Sequence, residues 1–181
     1  MTNSVLKIKS KPKEVIHICE IQEKDAWSIC DFAVSNESRL QQFFPKTLEQ
    51  NLNPELSRIF TQLKYKQFKN KEEYLFTLKG EHSKKVVGLI YIKELHKFEG
   101  QGEFAYCIDY NYEGQGIVSK AVSELTNYAF ENLNLNRLQI VVHKTNLASL
   151  KVAENCSFTW QKTLSKEYKE MDMELYERFK N

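Results

Sequence analysis

The chain has few of the residues that staple, break or anchor a fold. Its 181 residues include four cysteines, six glycines and three prolines. Cys19, Cys30, Cys107 and Cys156 are widely scattered and form no CxxC pair, which argues against a zinc site and against a secreted disulfide framework. They are expected to be reduced and packed. The four histidines, His17, His82, His96 and His143, stand far apart in the chain, so no metal site is expected. No stretch approaches the run of about 18 apolar residues that a membrane span requires. The opening "MTNSVLKIKSKPKEV" has no apolar core of the signal-peptide kind. A cytoplasmic, soluble protein with no membrane partner is the expectation, with residues 1–13 a loose leader or an early strand. A dominant charge is also missing. Lys plus Arg is 26 against 24 Asp plus Glu, a net +2, which gives no global pull toward nucleic acid or an acidic membrane. An anionic ligand would have to be held locally.

What the chain does have, 41% hydrophobic and 28% charged residues, suits one globular domain over residues 1–181 with a proper core. "EVIHICEIQ" alternates as a half-buried strand does, and "EKDAWSICDFAVSN" switches to helical spacing, with Trp27, Ile29, Cys30, Phe32, Ala33 and Val34 on its apolar side. Residues 37–70 are the least legible. They predict two short helices and loops, with Pro54 as a helix start. Three strand signals follow, "EYLFTLK", "KVVGLIYIKEL" and "EFAYCID", separated by hairpin turn material. From Gly116 the period becomes about 3.6 and predicts a helix to about Asn134. "NRLQIVVHK" is a strand, "NLASLKVAENC" a short helix with Asn146 as N-cap, and "FTWQKTLS" and "KEMDMELYERF" a closing strand pair. The pattern is a mixed α/β (α+β) domain.

One stretch, "YEGQGIVSKA", spends two of the six glycines one residue apart at the head of the long helix. The first N–H groups of a helix have no intrahelical partner, and the helix dipole adds positive potential there. Glycines let a bulky anion reach the main chain, and a diphosphate is the natural occupant. The same spacing also makes a tight strand-to-helix turn with no ligand. A dinucleotide-binding βαβ unit does not fit, because the preceding strands read as antiparallel hairpins.

Residues 103–158 resemble the core of the GNAT acyl-CoA N-acyltransferases. The signature Q/R-G-x-G-x-G/A stands here as Glu113-Gly114-Gln115-Gly116-Ile117-Val118. "AYCIDYNYEGQGIVSKAV", "YAFENLNLNRLQIVV" and "NLASLKVAENCSF" follow in the order found in the branch that includes the RimJ and RimL ribosomal-protein acetyltransferases. The resemblance implies a mixed, mostly antiparallel central sheet flanked by helices. Three features depart from the pattern: Glu113 places a carboxylate where Gln or Arg is usual, Val118 replaces Gly or Ala, and "CSF" replaces "LGF".

The same resemblance implies acetyl-CoA as acyl donor, its diphosphate on the N–H groups of Gln115, Gly116, Ile117, Val118 and Ser119. The pantetheine arm would run beside the strand holding Ile108, whose amide would polarise the thioester carbonyl. Asn146 would hold the cofactor arm near the sulfur. Glu103 is the implied general base, its alternative being a solvent-facing strand glutamate. Many relatives protonate the leaving thiolate with a tyrosine whose position here is Ala153, and Ser149, one turn earlier, is the substitute. Cys107 and the lysine-rich "KYKQFKNK" read as a packed thiol and a solvated helix face. The acceptor is implied to be a primary amine, of a protein N-terminus or a small molecule. It would enter near Phe43 and Phe44, drawn by Glu167, Glu170 and Asp172. The enzyme would act as a monomer or homodimer, by direct attack in a ternary complex. The rival reading is a CoA-binding module of the same shape without turnover.

Overall fold

The strands are β1 (Ser4–Lys9), β2 (Val15–Glu20), β3 (Tyr74–Gly80), β4 (Val86–Lys93), β5 (Gln101–Ile108), β6 (Arg137–His143), β7 (Thr159–Tyr168) and β8 (Met171–Phe179), with apolar alternation clearest in β6 and near-continuous apolar runs in β3 and β4. Helical spacing gives α1 (Ala26–Ser35), α2 (Glu37–Phe43), α3 (Pro45–Glu49), α4 (Pro54–Lys69), α5 (Ile117–Asn132) and α6 (Leu147–Asn155). These elements are those of a computed structural model, which describes residues 4–9, 14–95, 99–168 and 171–180. His96, Glu170 and residues 1–3 and 10–13 of the expected leader lie outside the described residues. Of the two readings of that leader, the early strand applies to Ser4–Lys9, which pairs antiparallel with β2.

The strands form one mixed sheet in the order β1-β2-β3-β4-β5-β6-β8-β7. β2 pairs antiparallel with β3, and β8 with both β6 and β7, while β5 and β6 run parallel. The mostly antiparallel sheet flanked by helices agrees with the sequence. The chain divides into two compact units, Met1–Tyr91 with Tyr106–Ile117, and Ile92–Ala105 with Val118–Asn181.

In the first unit, Ile16, Ile18, Leu75, Leu78, Leu89 and Ile90 are fully buried, and β3 is buried at every position. On α1 the buried arc is Ile29, Cys30, Phe32 and Ala33. Trp27 and Val34, expected on that side, fall on the opposite face at 100° per residue, and Trp27 is 71% exposed. Residues 37–70 hold three helices rather than two, and α4 runs for 16 residues. Asn53 caps it by accepting from the Leu56 N–H at 3.0 Å, and Pro54 supplies the first helical position. Its buried face mixes Phe60 and Phe68 with Ser57 and Thr61, which blurs the apolar period. The lysine-rich run at its end is not simply solvated. Lys64 is largely buried, 2.7 Å from Glu73 and over the rings of Phe60 and Tyr91, and Lys69 reaches Glu20 at 3.2 Å.

The loop after β5 is fastened in this unit by Tyr112, whose hydroxyl donates to Glu14 Oε2 at 2.7 Å. Burial, and then the Glu14 carboxylate, push the Tyr112 phenol up to about 12, so it stays a donor at neutral pH. Burial works to raise the Glu14 carboxyl, but the hydrogen bonds from Tyr112 and Ser83 outweigh it and hold the group below 4.5.

In the second unit, α5 buries Ala121, Val122, Leu125, Ala129 and Phe130, and β6 turns Leu138, Ile140 and Val142 inward. Phe104 meets Phe158 edge-on, ring centroids 6.2 Å apart. Trp160 of β7 is exposed, its indole N–H donating to Glu174 at 2.5 Å. A row of polar side chains crosses three strands: Gln101 donates to Gln139 at 2.8 Å, and Gln139 to Glu177 at 2.5 Å. Arg137 donates to Gln101.

Phe104→Ala should cost about 3–5 kcal/mol in urea unfolding followed by circular dichroism, because Phe104 is among the largest fully buried side chains; a loss under about 1 kcal/mol would contradict the packing described. Tyr112→Phe should lose about 1 kcal/mol at pH 7. Because the Glu14 value is lowered by folding, this contribution is present above pH 4.5 and disappears as pH falls through the lowered value. A wild-type-minus-variant difference that grew in acid would refute the assignment.

Candidate active site

At the end of β5 the backbone passes very close to β4. A Cβ on Gly88 would lie 2.8 Å from the Cys107 carbonyl oxygen, so only glycine fits there. Asp109 then donates its N–H to Val87 at 2.8 Å, and residues 109–116 turn into α5. Gly114 and Gly116 have φ of +66° and +72°, in the left-handed region that penalises a side chain. A Cβ on either would meet nothing within 4 Å. The turn therefore demands both glycines for their φ, and the space before them is open. The two readings of the GxG element, turn and anion cradle, are compatible. Gln115, Gly116, Ile117, Val118 and Ser119 are brought together as the loop end and first turn of α5, where backbone N–H groups lack intrahelical partners.

The loop is held by side chains from the start of α2. Asn36 is buried and donates to Asp109 Oδ2 at 3.0 Å and to the Phe32 carbonyl at 2.9 Å, while its Oδ1 accepts from the Tyr110 N–H at 3.2 Å. Asp109 Oδ1 accepts from the Asn111 N–H at 2.8 Å, and Gln115 donates to the Asn111 carbonyl at 2.9 Å. Glu113 is in an ion pair with Arg39. Asn36 and Arg39 carry no signal in the sequence, since nothing local links them to a loop some 70 positions away.

Cys107 lies one residue before Ile108, and burial pushes its thiol up to about 12, with Leu89 and Arg39 acting weakly the other way. It stays protonated and is no thiolate nucleophile at neutral pH. All four cysteines are free.

In the second unit, β5 and β6 pair from Gln101↔Arg137 to Phe104↔Ile140. Glu103 is half-buried and its carboxylate is 2.8 Å from the Lys93 ammonium. Ile108 stands five positions further along the same strand, a span of about 16 Å for extended chain. Asn146 caps α6, its Oδ1 accepting from the Ser149 N–H at 3.2 Å, as the helix reading expected. Ala153 is fully buried. The end of α6 rests on the first turn of α5, where Cys156 Sγ donates to the Ser119 carbonyl at 3.1 Å. Asp172, expected to attract a cationic amine, accepts from the Lys166 N–H at 3.1 Å through Oδ1.

Among the described residues no group of three His, Cys, Asp or Glu side chains is placed to hold a metal ion. No helix among them is long and apolar enough to cross a membrane.

Comparison with known proteins places this arrangement. YdaF of Bacillus subtilis (strain 168), named provisionally as a ribosomal N-acetyltransferase, is 29% identical over 156 residues, covering 82% of this chain and 80% of its own. A 31% match to the uncharacterized N-acetyltransferase p20 of Bacillus licheniformis spans about half of each protein, 46% of this chain and 47% of that one. Among solved structures, ribosomal-protein-S5-alanine acetyltransferase from Vibrio fischeri superposes with a TM-score of 0.86 at 21% identity, over 95% of this chain and 97% of its own. The ribosomal L7/L12 α-N-protein acetyltransferase RimL, in complex with coenzyme A, gives 0.83 at 17% identity, over 91% and 93%. The family model for the acetyltransferase (GNAT) domain matches residues 16–159, more than half of the chain. This chain belongs to the GNAT acetyltransferase family.

Proposed function

We propose that the enzyme transfers an acetyl group from acetyl-CoA to a primary amine by direct attack, with donor and acceptor bound together. The observation that carries the donor half is the open loop at the head of α5, with two left-handed glycines and clear space before them. Amides of Gln115, Gly116, Ile117, Val118 and Ser119 take the diphosphate, as the coenzyme A bound to RimL supports by analogy. The Ile108 amide donates to the thioester carbonyl and stabilises the oxyanion formed on attack, a contribution on the order of 3 kcal/mol per donor. Asn146, while capping α6, steadies the arm near the sulfur.

In the transfer the amine nitrogen bonds to the thioester carbon, the C–S bond breaks, and one proton leaves the nitrogen while one arrives at sulfur. Glu103 accepts the first through water, since the strand spacing puts it beyond direct reach of a thioester held at Ile108. Ser149 lies on α6 one turn from Ala153 and supplies the second, through its hydroxyl or an ordered water. The acceptor is an α-amine at a protein N-terminus, supported by the S5-alanine and L7/L12 acetyltransferases that share the fold. A small-molecule amine is the competing acceptor. It is supported by the spermidine N(1)-acetyltransferase of Escherichia coli (strain K12), 27% identical over 81 residues. Residues 1–181 are proposed to act as one catalytic domain.

Acetyl-CoA at about 100 times its Kd should stabilise the protein by roughly 2.7 kcal/mol in thermal unfolding. Gly116→Ala should lower the apo protein by about 1 kcal/mol, from its φ alone, and should also shrink the acetyl-CoA shift. A full shift in that variant would leave the glycine pair as a turn and nothing more. With an amine panel of N-terminal peptides and polyamines, Glu103→Gln should lower turnover by about a hundredfold at unchanged acetyl-CoA affinity. Unchanged turnover would remove Glu103 from the mechanism.

A further inference from the structure

We propose that Arg39 is a positioning residue that neutralises Glu113 and so sets the affinity of the loop for the diphosphate of the acyl donor. The inference rests on the acetyl-CoA reading given above and adds a residue to it. Glu113 stands two positions before Gln115, the first amide assigned to the diphosphate. An uncompensated carboxylate there would repel the phosphates at close range. It is compensated, because Arg39 holds its carboxylate. Arg39 is itself fixed by its helix: Asn36, one turn earlier, is buried and bonds the same loop at Asp109 and Tyr110. The neighbouring Cys107 thiol, raised by burial, is uncharged and does not compete for the guanidinium. The Arg39 Nη1 atom is buried and has no hydrogen-bond partner in the chain, so the guanidinium keeps a donor beyond the one spent on Glu113. A planar fork with donors to spare suits this task better than a lysine would.

A pair that only stapled the loop would behave symmetrically, since losing either partner breaks the same contact. Neutralisation is asymmetric. Removing Arg39 leaves a bare carboxylate beside the phosphates, whereas removing the Glu113 charge leaves a bare cation, which phosphates favour. The distinguishing probes are coenzyme A and pantetheine, the second having the same arm without the diphosphate.

Binding of both probes should be measured by calorimetry on wild type, Arg39→Gln, Glu113→Gln and the double variant, with circular dichroism to confirm the fold. For coenzyme A, Arg39→Gln should weaken binding about five- to tenfold, the scale of a like-charge contact at a half-exposed site. Glu113→Gln should bind as tightly as wild type or more tightly, and the double variant should return to within about twofold of wild type. Pantetheine should bind all four proteins alike. Equal weakening in the two single variants, or an Arg39→Gln loss that extends to pantetheine, overturns the proposal in favour of a staple. Should Arg39→Gln fail to fold, Glu113→Gln still decides, because a staple requires it to weaken coenzyme A. If wild type binds coenzyme A no better than pantetheine, the diphosphate cradle itself is wrong and this inference falls with it, an outcome distinct from either variant pattern.

Discussion

The first amides of α5 have no partner inside their own helix, and the surrounding structure is arranged around that deficit. A strand must end, reverse and enter a helix within eight residues, 109–116, while leaving those donors uncovered. That reversal is possible here because Gly114 and Gly116 accept left-handed backbone. Such a turn is not rigid on its own account. It is made so by Asn36, Arg39 and Tyr112, which bind its two halves to α2 and to Glu14. The end of α6 meets the same helix turn through Cys156 and Ser119.

Charge is handled in the same local manner. A chain with a net charge of +2 has no broad field with which to gather an anion. Helix dipole and main-chain donors are left to do it, and these act within a turn of the helix end. On the proposed diphosphate reading a single misplaced carboxylate would matter at that range, and the pairing of Glu113 would carry more weight than surface ion pairs such as Lys85 with Asp31.

Much of this was legible in the sequence, and the reasons are particular. The α5 face, the alternation of β6 and the Asn146 cap are local patterns, and local patterns survive in a string of residues. The GxG loop was legible because positive φ restricts residue choice. Trp27 is the exception, because apolar character alone does not give inward direction and the buried arc of α1 faces elsewhere. The length of α4 was hidden by Ser57 and Thr61, polar residues that the helix buries by bonding backbone: Thr61 donates to the Ser57 carbonyl at 2.9 Å. Asn36 and Arg39 were invisible for a different reason. Their function is defined by partners far along the chain, and neither residue type is unusual where it stands. Lys93 at Glu103 is of the same kind, a cross-strand neighbour that only register can disclose.

The chain has two tryptophans, Trp27 in the first unit and Trp160 in the second, and both are exposed in the folded state. Their indoles are therefore already in water before any unfolding occurs. Intrinsic emission should be red-shifted in the native protein and should change little when either core opens. The same placement makes single-tryptophan proteins useful: with Trp160 replaced, the remaining indole on α1 reports on the surroundings of that helix, and with Trp27 replaced the other reports on the β7–β8 hairpin. The two units thus come with separate optical labels already in place.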